Sequence, residues 1–228
     1  MNFINQHLRR KKSINFYRAL IKEKSLCFDI GANIGYKSSI LLNLQHHVIG
    51  FEPQKNCYYS LLKIQKKHPN FKIKKIAIGA ENTELDLFIG SHIEIATLSH
   101  KFKSYFTTDN IYWNQKERVK VVTLNSQIEM YGIPDFCKID AEGYEYEILK
   151  NLSYKISIIE FEFTGGFIEE TLQCISKFDD LGDYTFNYML NEKPKLELKN
   201  WISAKEMSTE IKAMDIGNLH GNIFAKLK

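Results

Sequence analysis

Cysteine and proline are scarce in this chain, and several sequence features are missing altogether. The 228 residues include only four cysteines and four prolines. No two cysteines form a Cys-x-x-Cys pair, which argues against a zinc site and against a disulfide framework. No apolar stretch approaches the roughly 20 residues of a membrane span. The N-terminus lacks the apolar core of a secretory signal. We therefore expect a cytoplasmic location with reduced thiols.

Excess charge is also small, except near the N-terminus. The 31 Lys and Arg against 27 Asp and Glu give a net charge of +4, which does not by itself indicate a nucleic-acid partner. Residues 1–24 hold seven of these cations and a single acid, Glu23. We interpret residues 1–24 as a basic helical extension with a solvated face. The alternative is a lip that attracts an acidic substrate, or a peripheral contact with an anionic membrane surface.

Residues 25–228 have the pattern of one α/β domain. Strand and helix patterns alternate along them, and 44% apolar residues in the whole chain suffice for a full core. The third strand is predicted at 71–78. A β-rich insertion is predicted at about 84–118, where 93–98 would pair with the preceding strand. Its aromatic and basic part, 99–118, could form a sugar platform, an active-site lid or an oligomer contact.

The stretch Leu26–Ile40 combines a short apolar strand, a glycine-containing turn and the start of a helical pattern. This order is typical of the phosphate- or nucleoside-binding opening of an α/β sheet. We expect the backbone at Gly31 and Gly35 to approach a ligand closely, because a Cβ would obstruct it. A dinucleotide fingerprint would require further glycines where this chain has Asn33 and Tyr36.

Two acids end the first two predicted strands and indicate the ligand. Asp29 lies where a pyrophosphate would otherwise rest, and a carboxylate there repels an anion. A ligand with an ammonium and a sulfonium, S-adenosylmethionine (SAM), would instead be attracted. Glu52 ends the second strand, 17 residues past Gly35. An acid near this position hydrogen-bonds a ribose diol in doubly wound folds. The pair therefore favours an adenosine without charged phosphates.

A second chemical centre lies at Phe136–Leu149, where a buried strand ends in acids and a glycine turn. Asp140 and Glu142 are expected in the crevice at the carboxyl ends of the strands, the usual ligand site of such a sheet. Two neighbouring carboxylates raise one pKa and could prepare a general base for an alcohol. The alternative is that both residues merely cap the turn or bind the amine of the cofactor. The fifth predicted strand carries Glu160 and Glu162, one of which must face this crevice.

Three motifs resemble the FkbM family of SAM-dependent methyltransferases. They are F-D-x-G-A-N-x-G at Phe28–Gly35, F-E-P at Phe51–Pro53 and K-I-D-x-E-G at Lys138–Gly143. The resemblance covers roughly residues 25–165. One departure is Asn125, where the family usually has Asp; either residue is expected to cap the helix that follows.

The resemblance implies a fold, an activity and a set of cofactor contacts. The fold would be a seven-stranded Rossmann-like class I methyltransferase sheet with helices on both faces, parallel except for one late strand. The activity would be SAM-dependent O-methylation, commonly of sugars in bacterial surface polysaccharides or of natural products. The turn would hold the methionine part, Glu52 the ribose, and the end of the third strand the adenine. The full cofactor set is Asp29, Gly31, Asn33, Gly35, Tyr36, Glu52, Ala77 and Ile78.

The resemblance also implies the catalytic residues. Asp140 and Glu142 would lie between the sulfonium and the acceptor hydroxyl, with Glu160 as the third catalytic acid. A divalent metal could be held by Asp140 with Glu160, although nothing in the sequence requires one.

Three other functions stay open on the sequence alone. An NAD-linked oxidoreductase or epimerase is disfavoured by Asp29 and by the absent third glycine. A non-catalytic SAM-binding module would share the same motifs. Methylation of RNA or DNA is disfavoured by the modest charge and by the lack of an N-P-P-Y-type stretch. We therefore expect a glycan or small-molecule acceptor and no nucleic-acid partner.

Overall fold

The chain forms a central sheet flanked by helices, with a smaller sheet beside it. A computed structural model describes residues 3–92, 95–108, 110–191, 193–214 and 219–228, with side chains from residue 8 onward. Its described helices are α1 (Phe3–Leu20), α2 (Tyr36–Asn43), α3 (Lys55–Gln65), α4 (His100–Tyr105), α5 (Leu124–Tyr131), α6 (Glu145–Leu149), α7 (Ile168–Leu181) and α8 (Ala204–Ala213). Its described strands are β1 (Leu26–Ile30), β2 (His47–Phe51), β3 (Phe71–Lys74), β4 (Ala77–Gly79), β5 (Thr83–Ile89), β6 (Ala96–Thr97), β7 (Gln115–Thr123), β8 (Phe136–Ile139), β9 (Ile158–Thr164), β10 (Tyr184–Leu190) and β11 (His220–Leu227).

The central sheet has seven strands in the order β10-β11-β9-β8-β1-β2-β3. The neighbours from β3 to β9 are parallel, and only β11 runs antiparallel to its neighbours. Helices cover both faces, so the inner strands read as nearly continuous apolar runs. The predicted seven-stranded α/β class is confirmed. The carboxyl ends of β1, β2, β8 and β9 therefore meet at one edge.

The second sheet has the order β4-β7-β5-β6 and corrects the predicted third strand. Strand β3 ends at Lys74, and Ala77–Gly79 pairs in parallel with β7 instead of continuing β3. The physical reason is a separate apolar cluster, in which Ala77 packs with Leu87, Val119 and Val121. The second sheet thus begins before residue 84 and ends after residue 118. Of the predicted partner strand 93–98, only Ala96–Thr97 is a strand, and residues 93 and 94 lie outside the described residues.

Helix α5 begins two residues earlier than the sequence indicated, and Asn125 is not its cap. Strand β7 extends to Thr123, whose hydroxyl accepts a hydrogen bond from the Ser126 N–H at 3.2 Å and caps the helix. The Asn125 side chain instead donates to the Asn151 carbonyl at 2.8 Å and accepts from the Ser153 N–H at 3.1 Å. It ties the loop after α6 to α5.

Helix α1 packs directly on the central sheet. Tyr17 and Ile21 are buried, and Tyr17 meets Phe136 of β8 edge to face at 5.8 Å between ring centroids. Phe16 makes a similar contact with Phe224 of β11 at 5.6 Å. The basic extension therefore covers part of one face of the central sheet. No helix in the described part of the chain is both long and apolar enough to cross a bilayer.

Candidate active site

The turn after β1 is crowded by its protein neighbours, which gives its glycines a reason beyond the predicted approach of a ligand. Gly31 has a φ of +73°, and a Cβ there would lie 1.7 Å from the Asp140 carbonyl oxygen. Gly35 has a φ of +90°, and its Cβ would lie 2.5 Å from Ile64 Cδ1 and 2.7 Å from Leu61 Cδ2. These glycines are required by positive φ and by close packing on β8 and α3, whatever ligand binds.

Asp29 offers a buried, unpartnered oxygen at the end of β1. Its Oδ2 accepts a hydrogen bond from the Ser38 hydroxyl at 2.5 Å, whereas Oδ1 has no partner. Burial raises the pKa of Asp29, although Lys138 and Lys37 act in the opposite direction. A buried acceptor without a donor is costly. A cationic donor group would both satisfy Oδ1 and stabilise the ionised form, so the residue fits the ammonium of SAM.

Glu52 holds the turn and lines the first cavity. Its Oε2 accepts from the Asn33 N–H at 2.7 Å and its Oε1 from the Gln54 N–H at 2.8 Å. Burial raises the pKa of Glu52 to about 7, despite these two hydrogen bonds. Each carboxylate oxygen has a second lone pair. Glu52 can therefore accept from a ribose hydroxyl while it fixes the backbone of Asn33, whose φ is 51°.

The first cavity has about 670 Å³ of open volume, including the space at its mouth. The predicted adenosine residues Glu52, Ala77 and Ile78 all line it. Leu87 and Leu98 of the insertion also line it, and sequence reasoning missed them. Only the second sheet brings those leucines next to the ligand edge, so no motif signals them.

Three carboxylates meet after β8 and β9. Oxygens of Asp140, Glu142 and Glu162 lie within 4.8 Å of one another. Burial, and then the neighbouring carboxylate of Asp140, raises the pKa of Glu162 well above its usual value. Burial alone would also raise the pKa of Asp140, but the Lys138 ammonium and a hydrogen bond with Glu162 hold it below its usual value. The two pKa values are therefore shifted in opposite directions, with Asp140 the more acidic of the pair.

The partner of Asp140 is Glu162, which corrects the pairing predicted with Glu160. The register sets Lys138 of β8 opposite Glu160 of β9, so Asp140 is level with Glu162. Glu160 and Glu162 share a face because they are two residues apart. Only Glu162 lines a cavity.

Glu160 is instead buried under α1. Its Oε2 accepts from the Tyr17 hydroxyl at 2.9 Å, and its Oε1 pairs with the Lys37 ammonium at 2.8 Å. The Lys37 ammonium also contacts the Tyr17 hydroxyl. Both oxygens of Glu160 are therefore engaged by protein groups, and it is not placed to hold a metal with Asp140.

A lysine reaches the acidic trio. The Lys138 ammonium, itself buried, contacts Asp140 Oδ2 directly. It supplies a positive charge beside the carboxylates, and the oxygens of Asp140, Glu142 and Glu162 are close enough together to hold a divalent cation as well.

The loop that carries Glu142 is supported by the insertion. The Thr97 hydroxyl donates to the Glu142 carbonyl at 2.7 Å. At Gly143, with a φ of +81°, a Cβ would lie 2.9 Å from the rings of Phe102 and Phe167. Phe102 belongs to the aromatic stretch, which at this point is packed inside the protein. The insertion therefore fixes the backbone next to Asp140.

A second, larger cleft opens on the other side of the turn. It has about 1410 Å³ of volume, including its open mouth. Arg9, Ser13 and Tyr17, spaced four residues apart on α1, form one wall. Tyr36 lies at its rim with 48% exposure, and Asn222 of β11 lies among the lining residues. The sequence suggested α1 at the site only through the alternative of a substrate-attracting lip, because nothing in its periodicity shows which element it covers.

The two cavities share three residues. Gly31, Asn33 and Asp140 line both of them. Of the remaining predicted cofactor residues, Asp29 and Tyr36 line the second cleft and Gly35 lines neither. The Asp140 carboxylate therefore lies where a ligand in one cavity meets a ligand in the other.

Comparison with known proteins agrees with this architecture. The family model for the methyltransferase FkbM domain matches residues 29–190. No curated protein matches the chain significantly. Precorrin-6y C5,15-methyltransferase from Geobacter metallireducens is similar in fold, with a TM-score of 0.52 and 12% identity over 96% of this chain and 87% of that one.

Two further solved structures are more distantly similar. Fibrillarin from Aeropyrum pernix, in complex with natively bound SAM, has a TM-score of 0.46 and 8% identity over 90% of this chain and 67% of that one. A TehB-like SAM-dependent methyltransferase from Corynebacterium glutamicum has a TM-score of 0.44 and 9% identity over 94% of this chain and 87% of that one.

Proposed function

The chain belongs to the FkbM family of SAM-dependent methyltransferases, and from this premise we propose that it methylates a hydroxyl of a sugar. The sugar would belong to a bacterial surface polysaccharide or to a related glycan or natural-product precursor. Family membership removes the NAD-linked alternative. The proposal includes a cytoplasmic location and an acceptor that is not a nucleic acid.

The position of Asp140 carries the proposal. Its carboxylate lies between the cavity that contains Glu52, Ala77 and Ile78 and the cleft that contains α1. A methyl donor and its acceptor must meet head to tail, with the reacting atoms about 3–3.5 Å apart. Two cavities that join at one carboxylate provide this arrangement.

The donor would extend from the first cavity into the second cleft, where Asp29 lies, and its parts are held by three groups of the chain. SAM, when bound, supplies an electrophilic methyl group on its sulfonium. Asp29 would accept from the ammonium through Oδ1, and Glu52 would accept from the ribose hydroxyls. Ala77 and Ile78 provide apolar contacts for the adenine. No charged group is needed for a phosphate, in keeping with the acids at both strand ends.

Asp140 is suited to receive the proton of the acceptor hydroxyl. Lys138 keeps the pKa of Asp140 below its usual value, so the carboxylate is ionised at neutral pH. As the carbon–oxygen bond forms and the carbon–sulfur bond breaks, the hydroxyl becomes strongly acidic, and a weak base suffices to remove its proton. Glu162, whose pKa is raised by burial and by the Asp140 carboxylate, can hydrogen-bond to Asp140 and hold it in place.

The lining of the cleft favours a polyhydroxylated acceptor. Its wall and floor present hydroxyl, amide and ammonium groups, including those of Ser13, Tyr36, Lys138 and Asn222. These groups donate or accept hydrogen bonds, as sugar hydroxyls require. Apolar side chains such as Ile40 and Met189 also line the cleft and could pack against the ring carbons of a sugar.

The proposal is tested by methyl transfer from labelled SAM. Glycan extracted from cells that lack the gene is incubated with the purified protein and with the Asp140→Asn variant. We expect label in the glycan with the wild type and at least a hundredfold slower labelling with the variant. Asp180→Asn, at an exposed position of α7, serves as the matched control and should label normally. Label absent from glycan, or equal rates for both variants, would contradict the proposal.

A further inference from the structure

A basic groove lies on the outer side of α1, α2 and α3, away from the two cavities. It has about 500 Å³ of open volume. One residue comes from α1, two from α2 and the others from α3 and the turn after it. The polar residues that line it are Arg10, Ser39, Asn43, Lys63, Lys67 and His68.

The cations of this groove are not neutralised by the protein. None of its lining residues is acidic, and Arg10, Lys63 and Lys67 form no ion pair with any carboxylate in the described ranges. Some lysines elsewhere are paired, since Lys101 lies 2.6 Å from Glu170 and Lys116 lies 2.8 Å from Asp86. Positive charges that lie close together without counter-charges attract an anion.

The chemistry of the groove fits phosphate groups spread over a surface. Its cations are exposed and sit on long, flexible side chains from three separate elements. A site for a single phosphate would instead aim fixed donors at one point. Among its described lining residues there is no Phe, Tyr or Trp, and the imidazole of His68 is the one ring, so the groove lacks the large platforms on which nucleic-acid bases stack.

The groove and the acceptor cleft share two walls. On α1, Arg9 lines the cleft and Arg10 lines the groove. On α2, Ile40 lines the cleft and Ser39 lines the groove. A surface against the groove would therefore lie about one helix diameter, ~10 Å, from the cleft. Tyr36, half-exposed at the cleft rim, is a residue type that favours a membrane interface.

We infer that this groove docks the protein on an anionic membrane and brings the cleft to acceptors carried there. The identity of the membrane-borne acceptor rests on the proposed function, whereas the docking does not. The occupant is the phosphate layer of anionic lipids, attracted by Arg10, Lys63 and Lys67 and by the exposed Lys66 beside them.

The test is flotation of the full chain with lipid vesicles. Vesicles of phosphatidylcholine alone are compared with vesicles that also contain phosphatidylglycerol. We expect binding only to the anionic vesicles, weakening as salt is raised. The triple variant Arg10→Gln, Lys63→Gln and Lys67→Gln should bind on the order of 100-fold more weakly, since each basic residue near the surface contributes roughly a factor of five.

A charge-matched variant separates the groove from net charge. Lys199→Gln, Lys205→Gln and Lys212→Gln remove three exposed cations from the C-terminal part of the chain and should leave vesicle binding within about twofold. SAM affinity, measured by calorimetry, should be unchanged in both triple variants. Unchanged SAM affinity shows that each variant is folded. Failure of the wild type to bind SAM would count against the proposed function and not against docking.

Four outcomes would overturn the inference. They are no binding to anionic vesicles, equal weakening by both triple variants, displacement from vesicles by inorganic phosphate beyond that by chloride at equal ionic strength, and binding to single-stranded RNA but not to vesicles. The third would assign the groove to a single phosphate. The fourth would assign it to nucleic acid.

Discussion

Replacing Gly31 by alanine should damage the donor site much more than a glycine substitution of similar backbone cost elsewhere. Gly31 joins the end of β1 to the turn, and its N–H donates to the Phe51 carbonyl at 3.0 Å. A Cβ would lie 1.7 Å from the Asp140 carbonyl oxygen, whereas real Cβ contacts stay beyond 3.0 Å. The turn and the end of β8 must therefore separate by more than 1 Å.

The magnitude follows from two contributions. A non-glycine residue at positive φ costs of order 1–3 kcal/mol. Overpacking against fixed backbone costs typically another 1–3 kcal/mol. We therefore expect Gly31→Ala to lower the free energy of unfolding by about 2–6 kcal/mol. Asn33 and Asp140 both line the two cavities, and both would be displaced by this separation. SAM affinity should therefore also fall at least tenfold, which corresponds to about 1.4 kcal/mol.

Gly132→Ala is the matched control. Gly132 has a φ of +96°, but the nearest atom to an added Cβ would be Leu26 Cδ2 at 3.7 Å, an ordinary contact. This variant should show only the cost of positive φ and bind SAM normally. Denaturant unfolding and calorimetric SAM titration of both variants make the comparison. Equal stability loss and unchanged SAM affinity in Gly31→Ala would refute the reasoning from packing.

Three further predictions concern the buried acids. Asp29→Asn keeps the shape and the hydrogen bond to Ser38 but loses the charge, so calorimetry should show SAM binding about 10–100-fold weaker without a loss of stability; a destabilised protein with normal SAM affinity would contradict this role. Asp140→Asn should slow single-turnover methyl transfer about 10²–10⁴-fold while SAM affinity changes only a few-fold; unchanged rates would exclude Asp140 as the proton acceptor. Burial raises the pKa of Glu145 to about 7, so its stabilising contribution is present at low pH and is lost as pH rises through about 7. Between pH 6 and pH 8 the free energy of unfolding, measured by chemical denaturation, should therefore fall by about 1 kcal/mol more in the wild type than in Glu145→Gln. Glu147→Gln, on the same helix, should behave as the wild type.

The fold was largely predictable because apolar runs and acid-and-glycine turns alternate at regular intervals. The exception is the stretch after Phe71, where one apolar pattern serves two sheets. Local pattern shows that Ala77 and Ile78 are buried, but not which strand they pair with. Only the tertiary position of β7 decides that, and sequence periodicity carries no information about it.

The site was predictable where residues lie at strand ends, and unpredictable where distant elements meet. The sequence indicated that Glu160 or Glu162 faces the crevice, and the choice depends on the register of β9 against β8. It also depends on Tyr17 of α1 and Lys37 of α2, which bind the Glu160 carboxylate. Tertiary contacts of this kind leave no local signal.

The glycines of the turn after β1 were also explained only in part by the sequence. Their positions were identified correctly, and close ligand approach stays a prediction for Gly31, which lines both cavities. Gly31 and Gly35 are needed because β8 and α3 pack against the turn. A glycine motif thus marks a crowded backbone without stating what crowds it.

The most direct measurement compares the surface glycan of cells that lack the gene after complementation with the wild type and with Asp140→Asn. Mass spectrometry of the released sugars reports each methyl ether. We expect one sugar to carry a methyl group with the wild-type gene and to lack it both in the deletion and with the variant, at equal protein levels. Identical glycan spectra for all three strains would contradict methyl transfer to a surface sugar.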